Sequence, residues 1–426
     1  MEHDKELSVE RRQDERPEPD SAQRGGHESN AGTALYETNE NGELPLDLEA
    51  LTDDELDLEG PAAPARKVRF GWLRPSRHPA LWTAAILLVE LVLLFSAAEF
   101  IAGWFLPPGP RFIHPQMIME PDARKIYYHR PNQRAFTIDR PFVTNSLGFR
   151  DGRELPAEKA GEFRIMTLGD AATVGVGVTA EEAYPGQFET LLHHRAGPVR
   201  VVNAGVSGYS TWQEVEMLKE YRAAVDPDIV TLTFYWDDLY PKPDVVAPIR
   251  AWQSGDRQDS VRRYLRFLKR SRTLLLLWQR GTSLVNAAWP GFDWKHRDMI
   301  LQGGSTPYLE RAYGDVEIGL REFSALARDR AVPILLIMPM PVQVRSPEAP
   351  PTIMQRRISA MARRAGLRAI DLLPAMRAAY AEHRDLYIPW DHEQLSARGH
   401  AVVAGALYRY LIDEGLIPSS PSIRTE

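Results

Sequence analysis

Cysteine is absent from all 426 residues of the chain. This absence excludes disulfides, thiolate catalysis and cysteine-based zinc or iron–sulfur sites. Basic clusters are also scarce. Outside 66–77 the Lys and Arg residues are scattered rather than interleaved with aromatics, so the chain lacks the sequence features of a nucleic-acid-binding surface. The sequence also contains no internal repeat.

Acidic charge is concentrated at the amino terminus. Residues 1–60 hold 19 Asp and Glu against 5 Lys and Arg, a balance of −14, whereas the whole chain carries −7. Residues 1–65 are polar and poor in aromatics, so they cannot bury enough surface to offset the entropy of ordering. We predict a disordered acidic tail over 1–65. Its stretch Leu44–Leu58, which alternates Leu with acids, either keeps the chain soluble or folds on a partner.

A long apolar run covers 80–106 and ends at a pair of prolines. At about 1.5 Å per residue it can cross a hydrocarbon core of roughly 30 Å. Trp82 and Trp104 lie near its two ends, as in an aromatic belt. The basic juxtamembrane segment 66–79 precedes it, which places the amino terminus in the cytoplasm. The sequence predicts a single-pass protein of the inner (plasma) membrane with a periplasmic or otherwise extracytoplasmic carboxyl-terminal domain.

Two acidic residues interrupt this run. Glu99 is close enough to the outer end to reach the interface. Glu90 lies near the middle, where a charge costs on the order of 2–3 kcal/mol. We therefore expect Glu90 either to contact another membrane protein or to be protonated and tolerated by its apolar neighbours.

Strand and helix patterns alternate beyond the linker and lead-in segment 107–160, which is Pro-rich and is predicted to be irregular. The predicted strands are 163–168, 199–203, 228–235, 333–338 and 367–371, and the predicted helices are 181–194, 211–224 and 396–416. Such alternation predicts a three-layer α/β/α fold with a mainly parallel sheet over 161–416. Residues 417–426 are predicted to be a flexible terminus.

The predicted domain contains an insertion at about 240–330. Within it, a basic amphipathic helix is predicted around 260–280. We expect its apolar stretch 274–278 to pack onto the domain.

Four blocks of polar and small residues follow predicted strands, at 168–178, 202–211, 234–238 and 390–400. The carboxyl ends of parallel strands meet at one edge of a sheet, where open α/β folds bind ligands. The first block contains a Gly-x-Gly, but a dinucleotide fingerprint also needs a third glycine and an acid after the next strand. The blocks therefore predict one ligand cleft without a nucleotide loop.

In this order, and with the flanking segments 145–151 and 208–214, the blocks resemble the SGNH (GDSL) hydrolase family, in particular its membrane-anchored, extracytoplasmic members. The resemblance covers about 140–415. It implies a nucleophilic serine after Gly-Asp, an oxyanion site that uses a glycine and an asparagine, and an Asp-x-x-His pair. The imidazole deprotonates the serine, the carboxylate orients the imidazole, and the donors stabilise the oxyanion.

The matching positions here depart from that pattern. The serine position is Ala171, the asparagine position is Asp237 and the histidine position is Gln394, while Gly205 and Asp391 are kept. The resemblance thus implies an SGNH fold that lacks its nucleophile, its base and one oxyanion donor. We interpret the domain as a pseudoenzyme with a binding or scaffolding role in cell-envelope polysaccharide assembly or modification.

Two alternatives remain open at this point. A displaced catalytic set could use His392, beside Asp391, with the hydroxyl of Thr173 or Ser207, which would make the chain an active carbohydrate esterase or O-acetyltransferase. The domain could also be purely structural and bind no ligand.

The candidate ligand-binding residues combine acids with aromatics, as a groove for a carbohydrate or an acyl ester would. They are Asp170, Gly205, Asp237, Trp236, Trp390, Asp391 and His392. Tyr209 and Trp212 could join the aromatics at the mouth, although aromatics at strand ends also pack as core, and for Trp212 we expect the core. The acids lack the alternating spacing of an oxygen-ligand cation site, so we predict no metal and no cofactor.

Overall fold

The computed structural model describes residues 78–193, 195, 197–239, 270–288, 292–348, 350–391 and 393–417. The predicted tail 1–65, the juxtamembrane segment up to residue 77 and residues 260–269 of the predicted helix 260–280 lie outside the described residues. So do His392 and the terminus from 418 onward.

The first described helix, α1 (Pro79–Phe105), coincides with the predicted apolar run to within one residue at each end. Proline lies in its first turn, where the missing N–H is not needed. None of its residues is buried. Among the described residues it is the one helix long and apolar enough to cross a membrane.

Nine strands and ten further helices are described beyond α1. The strands are β1 (Met119–Asp122), β2 (Ile126–His129), β3 (Arg134–Thr137), β4 (Arg140–Val143), β5 (Phe163–Leu168), β6 (Val199–Asn203), β7 (Ile229–Phe234), β8 (Val332–Ile337) and β9 (Arg368–Asp371). The helices are α2 (Ala171–Val174), α3 (Tyr184–His193), α4 (Thr211–Val225), α5 (Arg272–Ala288), α6 (Phe292–Gln302), α7 (Pro307–Arg328), α8 (Pro341–Arg345), α9 (Ile353–Arg364), α10 (Leu373–Glu382) and α11 (Ala397–Asp413).

Five parallel strands form the central sheet, in the order β6-β5-β7-β8-β9. All six residues of β7 are buried, as expected for a parallel strand covered on both faces. Helices α3, α8, α10 and α11 pack together in one group, and α4, α6, α7 and α9 in another. The predicted three-layer α/β/α fold is confirmed. The strand order reverses between β5 and β7, the position where such folds bind ligands.

The lead-in segment was predicted to be irregular, and this prediction is wrong. It forms two antiparallel pairs, β1 with β2 and β3 with β4. Strands of four residues are too short to show a period, and tertiary contacts hold them. Lys125 is fully buried and pairs with Asp122 at 3.0 Å and with Glu220 of α4, while Tyr127 donates to the Ser207 carbonyl at 3.0 Å. This segment is therefore built into the domain.

The described part of the insertion also differs from the prediction. Helix α5 packs against α1. Within its apolar stretch 274–278, Leu277 and Trp278 are 61% and 72% exposed. The expectation that this stretch packs onto the domain is wrong for these two side chains.

Candidate functional site

The first block forms a tight turn between β5 and α2. A side chain at Gly169 would lie 2.0 Å from the Thr173 hydroxyl, so only glycine fits there. Asp170 caps α2 by accepting from the Ala172 N–H at 2.9 Å. Ala171 begins the helix, at the serine position of the family pattern, and its methyl group offers no nucleophile.

Thr173 does not replace the missing nucleophile. It is fully buried. Its hydroxyl lies 3.3 Å from the Tyr184 hydroxyl and 3.4 Å from the Leu168 carbonyl. A ligand in solution cannot reach it without opening the core.

The second block packs directly on α2. Asn203 donates to the Thr173 carbonyl at 3.0 Å, and its side-chain oxygen accepts from the Gly205 N–H at 3.1 Å. A side chain at Gly205 would lie 2.6 Å from the Val174 backbone nitrogen. Gly205 is thus required by packing, and its N–H, the predicted oxyanion donor, already has a partner inside the protein.

The third block turns after β7 into a 3-10 helix, Trp236–Leu239. Asp237 is partly exposed. Asp238 is buried, and its carboxylate accepts from the Tyr235 N–H at 3.2 Å. Trp236 is 7% exposed and packs edge-on against Tyr235. Only Asp237 of this block is therefore accessible in part.

Asp170 follows β5 and Asp237 follows β7, the two neighbouring strands between which the strand order reverses. Burial raises the pKa of Tyr127, and the charges of Asp237 and Asp170 raise it further. The two acids therefore both lie near the Tyr127 phenol. Both acids therefore act electrostatically on the same buried phenol.

The first part of the fourth block forms a turn that is held by hydrogen bonds within the segment 388–394. The Asp391 carboxylate accepts from the N–H groups of Glu393 and Gln394 at 2.9 and 3.0 Å. The Gln394 carbonyl accepts from the Ile388 N–H at 3.0 Å. Asp391, the predicted orienting acid, thus caps a local turn that contains Gln394, the residue at the predicted histidine position.

Trp390 precedes that turn in a left-handed conformation, with φ at 64°. A bulky residue rarely adopts this backbone. Its indole N–H donates to the carbonyls of Pro107 and Pro108 at 3.0 and 3.1 Å, and its own carbonyl accepts from Gln279 of α5 at 3.5 Å. These contacts connect the fourth block to the prolines that follow α1 and to α5.

A cleft of about 660 Å³ lies at this junction. Trp390 and Asp391 line it together with Gly177 from the end of the first block. Ala171, Gly205 and Asp237 are not among its lining residues. The structure therefore does not place Ala171, the predicted serine position, in the lining of this cleft.

The other predicted aromatics differ from Trp390. Trp212 is 46% exposed, so the expectation that it packs as core is wrong. It is the second residue of α4, and its neighbours Thr211 and Gln213 are buried. Tyr209 is fully buried and donates to the Tyr127 carbonyl, so it is part of the core rather than the mouth.

Arg150 was not among the predicted site residues, although it lies in the flanking segment 145–151. Arg150 is buried and donates to the carbonyls of Val174, Gly175 and Val178, the last two at 2.5 and 2.6 Å. Burial lowers its pKa to about 10, so the guanidinium stays charged at neutral pH. It shapes the turn after α2. The signal was an Arg directly before an acid in a motif outside the four blocks.

The buried histidine of the fourth block is structural. His400 accepts from the Tyr184 N–H at 3.2 Å. Burial, together with the charge of Arg150, lowers its pKa to about 3. It is neutral at physiological pH, and its Nδ1 lone pair is used for packing α3 against α11. Within the described ranges, no group of three or more His, Asp or Glu side chains is arranged to hold a metal ion.

The fold and these blocks agree with the comparisons to known proteins. Residues 167–402, more than half of the chain, match the model of the GDSL-like lipase/acylhydrolase family. The chain belongs to this family. Comparison with curated proteins gave no match.

Several solved structures are similar to this chain at low identity. A lipolytic protein of the G-D-S-L family from Veillonella parvula is 12% identical, with a TM-score of 0.35 over 59% of this chain and 98% of its own. TesA is 12% identical, with a TM-score of 0.35 over 58% and 97%. The acetylxylan esterase Axe2 from Geobacillus stearothermophilus is 16% identical, with a TM-score of 0.33 over 59% and 95%.

Proposed function

We propose that this chain is a membrane-anchored, catalytically inactive member of the GDSL family. In this proposal it binds a carbohydrate or acyl-ester ligand and serves as a binding or scaffolding protein in cell-envelope polysaccharide assembly or modification. One observation carries the proposal: Ala171, at the predicted serine position, begins α2 directly after the Asp170 cap and places a methyl group where the family pattern has a hydroxyl.

The surrounding groups support inactivity. An ester at Ala171 meets no hydroxyl, and Gln394 offers no base near neutral pH. Acyl transfer by this family's mechanism requires both groups. The Gly205 N–H is engaged by Asn203 at 3.1 Å, and the Asp237 carboxylate adds negative charge where an oxyanion would develop.

Few hydroxyl and imidazole groups near the site are available for a displaced catalytic set. Thr173 is fully buried and hydrogen-bonded. His400 is fully used as an acceptor inside the core. Ser207 is partly exposed, and His392 lies outside the described residues. The alternative of an active esterase or O-acetyltransferase therefore rests on Ser207 and His392.

The cleft beside the fourth block supports a binding role. Trp390 and Asp391 line it together with Arg111 and Arg140. An aromatic ring with hydrogen-bonding carboxylate and guanidinium groups suits a polar ligand such as a sugar or its acyl ester. We therefore place the ligand here rather than at Ala171.

Helix α1 is proposed to span the inner (plasma) membrane, with the amino terminus in the cytoplasm. The basic segment before it and the scarcity of basic residues directly after it support this orientation. Glu90 is exposed on α1. We propose that it contacts a partner membrane protein.

Activity is tested on the full-length protein in detergent with a chromogenic acetyl ester. We expect no turnover above that of Ala171→Asp, a control that blocks the same position. Turnover that disappears in Ser207→Ala or His392→Ala, but survives Asp391→Asn, would replace our proposal with the displaced-set enzyme.

Binding is tested by titrating the same protein with O-acetylated oligosaccharides. We expect Trp390→Ala to weaken binding by about tenfold, equivalent to about 1.4 kcal/mol, while Trp390→Phe retains most of it. Trp212→Ala is the matched control, since Trp212 is exposed but does not line the cleft. Equal loss in both alanine variants, or no binding by the unmodified protein, would contradict the placement.

A further inference from the structure

Helix α5 carries an apolar face that the domain does not cover. Leu277, Trp278, Leu284 and Val285 are 61%, 72%, 72% and 61% exposed. Trp278, Leu284 and Val285 follow Leu277 by one, seven and eight residues, which puts all four side chains on the same side of the helix. Four large apolar side chains exposed on one stripe are unusual on a soluble surface.

The start of α5 is fastened to α1. The Glu99 carboxylate accepts from the Ser271 hydroxyl at 2.7 Å and from the N–H groups of Arg272 and Thr273 at 2.9 and 3.1 Å. A carboxylate at a helix amino terminus satisfies free N–H groups and the helix dipole. The contact gives α5 a defined position relative to α1.

That position lies at the outer end of the proposed span. Glu99 precedes the last residue of α1, Phe105, by six residues, or about 9 Å at 1.5 Å per residue. Trp104, close by on α1, is 76% exposed, and tryptophan is enriched at membrane interfaces. The amino terminus of α5 is therefore at interfacial depth whenever α1 spans a bilayer.

Cationic side chains gather at the same junction. Arg111, Arg270 and Arg272 line a cavity of about 490 Å³ together with Glu99. Cations at this level are attracted to lipid phosphates, and an apolar helix face beside them suits the acyl boundary. The charge and the apolar face of α5 thus match the two layers of one leaflet.

We propose that α5 is a second membrane contact: an amphipathic helix that lies in the outer-leaflet interface, with its apolar face in lipid and the arginines at the phosphates. The occupant of this face is the bilayer itself. The inference rests on the proposed membrane span of α1. Gln279 of α5 also lines the cleft with Trp390, so the cleft lies beside this proposed membrane contact.

The absence of cysteine makes a clean test possible. Single cysteines are introduced at three positions. Leu284 lies on the apolar face of α5, and Ser283, the exposed residue directly before it, is the matched control. Leu93 in α1 is the membrane reference. Each full-length variant is labelled with an environment-sensitive fluorophore and reconstituted in phosphatidylcholine–phosphatidylglycerol vesicles. Quenching by spin-labelled lipid is compared with quenching by aqueous iodide.

We expect the Leu284 and Leu93 probes to be quenched by spin-labelled lipid, and the Ser283 probe by iodide. A Leu284 probe quenched by iodide as strongly as that at Ser283 would put α5 in water. A Leu284 probe quenched by neither agent would mean that protein, such as a second copy, covers the face. Both results overturn the inference while leaving the membrane span intact. A Leu93 probe that lipid does not quench would refute the span as well.

Discussion

Replacing Arg150 by methionine tests whether one buried cation holds the turn after α2. The guanidinium donates to the carbonyls of Val174, Gly175 and Val178, and at 3.3 Å to that of Pro141. Methionine fills much of the same volume but donates nothing. The substitution therefore leaves several carbonyls without their donor while keeping the packing similar.

The expected magnitude follows from these contacts. Hydrogen bonds from a charged donor contribute about 1.5–3 kcal/mol each. Relief of the cost of burying a cation offsets part of the loss, and breaking a buried charged network typically costs about 3–5 kcal/mol. At roughly 2–4 °C per kcal/mol for a domain of this size, the midpoint of thermal unfolding should fall by about 6–20 °C.

The assay is thermal unfolding of the full-length protein in one detergent, followed by near-ultraviolet circular dichroism. Arg130→Met is the control, because Arg130 and its partner Glu120 are 47% and 45% exposed, and such a pair contributes about 0–1 kcal/mol. A loss for Arg150→Met no larger than that of the control would refute the role assigned to Arg150.

Two further predictions concern stability. Burial and the charge of Arg150 lower the pKa of His129 to about 3, so the unfolded state binds its proton first as pH falls below about 6.5, and stability is lost progressively from there toward pH 3. By pH 5 the free energy of unfolding should have fallen by about 2 kcal/mol on account of His129. In His129→Leu the unfolding midpoint should therefore fall less steeply between pH 6.5 and pH 5. The same dependence on pH in the variant and in the unmodified protein would contradict this prediction. Gly205→Ala forces a methyl group to within 2.6 Å of the Val174 nitrogen and should lower the free energy of unfolding by about 1–3 kcal/mol, measured by denaturant titration. Gly405→Ala lies in open space on α11 and should stabilise the protein. Equal effects of the two substitutions would contradict this account of the packing.

Local patterns were sufficient for the five strands of the central sheet and for α1. The predicted bounds of β5 and β6 equal those observed, and β8 and α1 are offset by one residue. Buried parallel strands and an apolar span each depend on a continuous run of one chemistry, which is visible without knowledge of contacts. The four short strands of the lead-in segment were missed because Lys125 and Tyr127 gain their partners from distant parts of the chain.

The side-chain chemistry of the candidate site residues was readable from the sequence, and their accessibility was not. Trp212 was expected in the core and is exposed, whereas Tyr209 was considered for the mouth of the cleft and is buried. The burial of a side chain depends on which other elements cover it, and this is not visible in the local sequence. The role of Glu99 was equally invisible, because its partners lie more than 170 residues along the chain.

By itself, the sequence determined that Ala171 and Gln394 carry neither nucleophile nor base, because the chemistry of a side chain does not depend on its neighbours. It also determined the strand–helix alternation and the apolar run. Only the tertiary structure decided that Asn203 occupies the Gly205 N–H, that Asp391 caps its own turn and that α5 fastens to α1. Those contacts join segments that lie apart in the chain or depend on backbone geometry, and no period or composition encodes them.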